Sequence, residues 1–199
     1  VHKVIFVGNS EFGVPAIRAI HASPHRVACV VTREDRPRGR GKKLSPTPVA
    51  EAAERLGLHA VRVERPGRAR GLCEGHRPDF LVVCDYGDMI PRSLMRVPRH
   101  GCLNIHPSLL PRWRGAAPIE RAILAGDKET GVSIMLMDTG LDSGPVLLRE
   151  AMPVEDRTSG DLRADLAQVG AALVVRALDE FESLEQTRQD ETQVTWAGK

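Results

Sequence analysis

The sequence predicts an α/β protein with a mainly parallel sheet and helices on both faces. Three observations carry this. Short β-branched runs alternate with helix-like segments through the first half of the chain, the pattern of strand–helix–strand units. Phe80–Cys84 is apolar at every position, as a strand covered on both faces must be. The chain has 199 residues, 42% of them hydrophobic, enough for one sizeable core.

In chain order, Lys3–Gly8 reads as a strand ended by Gly8-Asn9-Ser10. Val14–Ala22 reads as a helix with Pro15 in its first turn, where proline is tolerated. Arg26–Thr32 is a Val-rich second strand. Thr47–Leu56 is a helix with Thr47 as N-cap, Pro48 at its first position and Gly57 at its end. His59–Val63, Phe80–Cys84 and Cys102–His106 complete the first set of strands. Ala117–Leu124 is a further helix, and Gly131–Met137 and Val146–Met152 are two more strands, open to an antiparallel arrangement. Leu162–Leu184 has the spacing of a long amphipathic helix. Polar residues 185–199 read as a linker or tail beyond a domain spanning 1–184.

Net charge is +2, which alone indicates no partner. Its distribution is more informative. Between Arg33 and Lys43, Arg33, Arg36, Arg38, Arg40, Lys42 and Lys43 stand against Glu34 and Asp35, a local basic segment on a near-neutral body. No apolar run approaches the ~20 residues of a membrane span, and the apolar start lacks the pattern of a secretory signal. Cys29, Cys73, Cys84 and Cys102 form no Cys-x-x-Cys pair. Cys29, Cys84 and Cys102 fall in or beside apolar runs, as buried free thiols in a reducing cytoplasm would.

Several motifs are excluded. The loop Gly8 to Gly13 is followed by Val14 and Pro15, not by the Lys and Ser/Thr of a phosphate-binding loop, and it lacks the glycine spacing of a dinucleotide site. A tight strand-to-helix turn explains it. His100 and His106 have no third ligand at suitable spacing, so no metal is expected.

The most informative segment runs from Asn104 to Pro118. Asn104 and His106 are two apart at a strand end, so they share a face, at the edge where parallel sheets place ligands. A second segment, Asp138 to Gly144, is a glycine-rich turn with two carboxylates. In order, Asn104-x-His106, Ser108-Leu109-Leu110-Pro111, Arg114-Gly115, Gly131-Val132 and Asp142-x-Gly144 resemble the folate-dependent formyltransferases over nearly the whole chain. Three stretches, Arg40–Pro48, Arg112–Pro118 and Gly131–Asp142, are similar to the branch of that family acting on methionyl-tRNA. So is Gln189–Thr195, which resembles the segment leading into that branch's second, C-terminal domain, absent from this chain.

The resemblance implies a Rossmann-like formyltransferase fold and acyl transfer from 10-formyltetrahydrofolate, a cosubstrate, to the amino group of initiator methionyl-tRNA. Neither DNA, membrane nor metal is implied. Asn104 would donate to the tetrahedral oxyanion, a contribution of ~10²–10³ in rate. His106 would donate and relay protons, worth ~10²–10⁴, and Asp142 would orient His106 and hold an ordered water. Ser108, Leu109, Leu110 and Pro111 would lie against the folate, with the pterin near Tyr86, Gly87 and Ile90. Here the chain departs from the family, carrying Asp85 and Asp88 where uncharged residues are common. A cis peptide at Leu110–Pro111 is expected. Arg36, Arg38, Arg40, Lys42 and Lys43 would contact the RNA backbone, positioning the acceptor end without reading bases. Two other functions are compatible with parts of this pattern: formyl transfer to another amine, such as a nucleotide-linked amino sugar, and a non-catalytic folate- or RNA-binding module. The basic 36–43 segment argues against the first, and the intact Asn104, His106 and Asp142 against the second.

Overall fold

The computed structural model describes residues 1–38 and 43–198, which form two compact units, Val1–Cys102 and Leu103–Lys199. In the first, β1 (Lys3–Gly8), α1 (Val14–Ala22), β2 (Arg26–Arg33), β3 (Arg36–Arg38), β4 (Lys43–Ser45), α2 (Pro48–Arg55), β5 (Ala60–Val63), α3 (Arg70–His76), β6 (Phe80–Cys84) and α4 (Arg92–Met95) follow one another. Strands β5, β2, β1 and β6 lie side by side in that order and are mutually parallel. Every residue of β6 is buried, as are Val4 to Gly8 of β1. Covering both faces requires helices, which the intervening segments supply. Thr47 caps α2 as expected, its hydroxyl accepting from Ala50 N at 3.1 Å.

Strands β3 and β4 pair antiparallel, Arg36 opposite Ser45 and Pro37 opposite Leu44. The basic segment does not announce that pairing in the sequence, because charge and proline mask the alternation of a strand. Helices α3 and α4 carry little signal in the sequence. Glycines at 71 and 75 weaken the helical signal of the first, and the second is a single turn.

The second unit contains all but the first two residues of β7 (Gly101–His106), then β8 (Arg114–Gly115), α5 (Pro118–Leu124), β9 (Glu129–Leu136), β10 (Val146–Pro153), α6 (Ser159–Asp179) and β11 (Trp196–Ala197). Strand β9 runs antiparallel to both β7 and β10, so the open question about the later strands resolves as antiparallel. Helix α6 begins at a Thr158 cap, whose hydroxyl accepts from Asp161 N at 3.2 Å. It ends five residues before the expected Leu184, at Asp179, where a 3₁₀ turn over Phe181–Ser183 follows. Gly170 brings α6 close to Ile105 and Val132. By strand alternation, Asn104 and His106 point to the opposite face.

Within residues 185–199, expected as a linker or tail, Thr187 and Trp196–Ala197 are tied to this unit. Thr187 and Val146 exchange backbone hydrogen bonds of 2.9 and 3.0 Å, and β11 pairs parallel with β8. Buried Gln189 and half-buried Thr195 spend their polar groups on hydrogen bonds within the fold, a use that composition does not distinguish from solvation.

Candidate active site

Residues 107–115 fold over the face of β9 that carries Ser133 and Met135. Ser133 Oγ donates to Ser108 O at 2.7 Å and accepts from Leu110 N at 3.1 Å. Ser108 Oγ donates to Arg112 O at 2.6 Å. Leu110 packs on Met135 and Val146. Ser108 and Leu110 are thus fully buried and shape the segment, while half-buried Leu109 and Pro111 carry its accessible surface. The Leu110–Pro111 peptide is cis, as expected.

This fold-over delivers Trp113 to the carboxyl end of β7. His106 is buried, and its Nε2 lies 2.9 Å from Trp113 O. A carbonyl oxygen only accepts, so Nε2 carries a proton, and whenever the ring is neutral Nδ1 has a free lone pair. Nδ1 faces Asp142 Oδ2 at 3.6 Å. The same carboxylate accepts from Asn104 Nδ2 at 3.3 Å through Oδ1 and from Gly115 N at 2.9 Å through Oδ2. The three side chains singled out in the sequence therefore converge. The close partner fixing the imidazole is the Trp113 carbonyl, with Asp142 on the other side of the ring.

Two glycines are required here. A Cβ at Gly144 would stand 1.9 Å from Leu136 O, and Gly115, at φ +119°, would place one 2.8 Å from Ala197 O. Trp113 itself has φ +63°, which costs a bulky residue on the order of 1–3 kcal/mol and persists only where surroundings enforce it. They do: Trp113 Nε1 donates to Asp127 Oδ2 at 2.8 Å, Trp113 N donates to Thr195 Oγ1 at 2.8 Å, and the Arg112 guanidinium sits 4.3 Å from the ring centre. Arg112 also donates to both Asp127 oxygens. That pairing, helped by the indole N–H, holds the Asp127 carboxyl below the usual carboxylate range.

Sequence reasoning missed Trp113 O, Gly115 N, Gln189 and Thr195. The first two are backbone groups with no side-chain signature. The other two lie in the presumed tail. Gln189 Nε2 donates to Asp142 O and Gly144 O, both at 2.8 Å, and its Oε1 accepts from Arg114 Nε at 3.0 Å. Arg114, buried, is paired with Glu191 at 2.7 Å.

In the first unit, Tyr86 and Ile90 are buried and Gly87 is exposed. The Arg33 guanidinium lies 5.7 Å from the Tyr86 ring centre and pairs with Asp88 at 2.6 Å. Burial pushes the Tyr86 phenol up to about 12. Ser10 Oγ donates to Asp85 Oδ2 at 2.6 Å, so both unexpected carboxylates have partners. Of the basic residues, Arg36 is exposed. Arg38 and Lys43 are β-strand residues paired with each other. Arg40 and Lys42 lie outside the described residues.

The formyl transferase family model matches residues 2–178. The chain belongs to that family. Among its relatives, the methionyl-tRNA formyltransferase of Novosphingobium aromaticivorans is 47% identical over 202 residues, covering 99% of this chain and 66% of that protein. The chain thus spans about two thirds of that relative's length. Solved structures agree on the family's Rossmann-like α/β fold. Phosphoribosylglycinamide formyltransferase from Bacillus halodurans superposes with a TM-score of 0.77 at 25% identity, over 91% of this chain and 95% of that one. An N-formyltransferase from Helicobacter canadensis, solved with folinic acid and dTDP-3-aminofucose, gives 0.75 at 16% identity, over 99% of this chain and 71% of that one. Among the described residues no helix is long and apolar enough to cross a membrane.

Proposed function

We propose that this chain transfers the formyl group of 10-formyltetrahydrofolate to the amino group of initiator methionyl-tRNA. The observation that carries the reading is the convergence of Asn104 and His106 on the Asp142 carboxylate, at 3.3 and 3.6 Å, in a chain 47% identical to a methionyl-tRNA formyltransferase.

The chemistry follows from these groups. A neutral amine attacks the formyl carbon, and its carbonyl oxygen becomes an oxyanion. Asn104 Nδ2 donates to that oxygen. His106, its Nε2–H committed to Trp113 O, takes the proton of the attacking nitrogen at Nδ1. The Asp142 carboxylate stabilises the resulting imidazolium. The proton then passes to N10 of the folate as the C–N10 bond breaks, giving tetrahydrofolate and the formylated amine. This is general base followed by general acid catalysis by one group.

The residues fit such a cosubstrate. Leu109 and Pro111 offer accessible apolar surface, which a flat heterocycle needs beside its backbone hydrogen bonds, and Tyr86, Gly87 and Ile90 are assigned to the pterin. The basic residues Arg36, Arg38, Arg40, Lys42 and Lys43 are assigned to RNA phosphates, and residues 185–199 to the approach toward a C-terminal domain. Four buried free cysteines, with Cys29 and Cys102 pushed up to about 12 by burial, suit the cytoplasm.

The test is formyl transfer from 10-formyltetrahydrofolate to charged initiator transfer RNA, beside a nucleotide-linked amino sugar, with wild type and Asn104→Ala. Formylated methionyl-tRNA that falls ~10²–10³-fold with Asn104→Ala supports the reading. Formylation of the sugar alone, or folate binding without turnover, would replace it.

A further inference from the structure

We infer that two residues of the polar C-terminal segment, Thr195 and Gln189, are positioning residues for the catalytic groups and act through Trp113 and Asp142. The inference rests on the formyl-transfer reading only for its kinetic arm.

Two loops carry the groups that bracket His106. One is residues 112–115, which supply Trp113 O to Nε2. The other is residues 138–144, which supply Asp142 to Nδ1. Among the described residues, the only strand or helix in either loop is the two-residue β8, and its partner β11 belongs to the C-terminal segment itself. The segment 187–197 touches both. Thr195 Oγ1 accepts from Trp113 N at 2.8 Å, Thr195 O accepts from Arg114 N at 2.9 Å, and Ala197 O accepts from Ala116 N at 2.9 Å. Gln189 Nε2 bridges Asp142 O and Gly144 O at 2.8 Å each, while its Oε1 holds buried Arg114 at 3.0 Å. One glutamine thus connects the loop carrying the His106 acceptor with the loop carrying the carboxylate.

The geometry at Trp113 gives this connection its consequence. A tryptophan at φ +63° relaxes toward negative φ if its restraints are removed, and that rotation swings its carbonyl. His106 Nε2 would lose its partner, the proton would distribute between the two ring nitrogens, and Nδ1 would no longer be reserved as the base. Thr195 is the restraint on the Trp113 backbone N–H, and only a hydroxyl at that position accepts the bond. Gln189 acts in parallel. With its two donations removed, the backbone of residues 142–144 is freed, and with it the distance from Asp142 to Nδ1.

Thr195→Val, Thr195→Ser, Gln189→Met and, as control, exposed Gln193→Ala are compared in the full chain. The tautomer of His106 is read by nitrogen NMR without substrates, and steady-state kinetics are run on charged initiator transfer RNA. Wild type, Thr195→Ser and Gln193→Ala should show His106 with the proton on Nε2. Thr195→Val should show both tautomers, with kcat down ~10–10²-fold, the size of effect a misplaced group produces, and the folate KM within ~2-fold. Gln189→Met should lower kcat similarly and alter the Nδ1 signal, so the inference stands even if Thr195→Val fails to fold. Unchanged tautomer and kcat in a folded Thr195→Val, or failure of serine to restore them, overturns it. If wild type proves inactive on the RNA, the NMR arm still decides the positioning role, and only the acceptor reading fails.

Discussion

Trp113 O accepts the Nε2–H of His106 across 2.9 Å, and this single backbone contact determines which ring nitrogen is available for chemistry. Nδ1 is left facing Asp142 Oδ2 at 3.6 Å. Asp142→Asn keeps the shape and an acceptor for Gly115 N, but it turns the acceptor of Asn104 Nδ2 into a donor and removes the charge that would stabilise a protonated ring. We expect kcat to fall on the order of 10²–10⁴-fold, the full range of a proton-relay contribution, with the melting temperature little changed. Kinetics and a thermal melt check it; activity within threefold of wild type would show that the carboxylate only holds loops.

The pair Arg33–Asp88, at 2.6 Å, lies beside the turn at Gly87, which the proposed function assigns to the donor rather than the chemistry. Arg33 covers Tyr86 and pins the exposed turn at Gly87, whose ideal Cβ position is 3.4 Å from its guanidinium. Asp88→Asn should loosen the turn and raise the folate KM about 2–5-fold, in line with ~0.5–1 kcal/mol for a partly exposed ion pair, while kcat holds. That is the signature of lost ground-state binding. The donor KM, measured at low and high salt, is decisive; equal values in both proteins would dissociate the pair from the folate site.

Why these features divide into legible and illegible is a matter of what a sequence records. Asn104, His106 and Asp142 were legible because their side-chain chemistry and strand-end spacing are written in residue types. Strands such as Phe80–Cys84 were legible because burial on both faces demands an unbroken apolar run. Trp113 O and Gly115 N were not, since every residue has those groups. Thr195 and Gln189 look like solvated residues because a hydrogen bond inside the protein and one to water call for the same side chain. The β3–β4 pairing was hidden because Arg36-Pro37-Arg38 has no apolar face to alternate.

Asp127 gives a pH prediction. Its carboxyl is held below its ordinary 3.8 chiefly by Arg112, with help from the Trp113 indole. A carboxylate depressed in the folded state contributes stability that is fully present above the unfolded value and is lost as pH falls through the folded one. Wild type should therefore exceed Asp127→Asn in denaturant midpoint at neutral pH, by an amount that stays constant down to about pH 5 and fades below pH 4. A difference that persists unchanged at strongly acid pH would assign the effect to packing alone.

Arg40→Ala should impair use of charged transfer RNA far more than use of folate. Arg40 and Lys42 lie outside the described residues, but the strands on either side of them, Arg36–Arg38 and Lys43–Ser45, pair antiparallel. Arg33 and Asp35, at the base of the same basic run, are already committed to Asp88 and Arg62. The cations assigned to phosphate are thus those from Arg36 onward, a charge concentrated in one short stretch of chain. Phosphate contacts release counterions, so each lost contact should reduce the dependence of log affinity on log salt by about 0.7–0.9, whatever the RNA sequence. The experiment titrates salt against the KM for charged initiator transfer RNA in wild type and Arg40→Ala, with the folate KM followed in parallel. A higher RNA KM with a shallower salt slope and an unaltered folate KM is the expected result. A change confined to folate, or identical RNA slopes in the two proteins, would remove the 36–43 segment from the RNA interface.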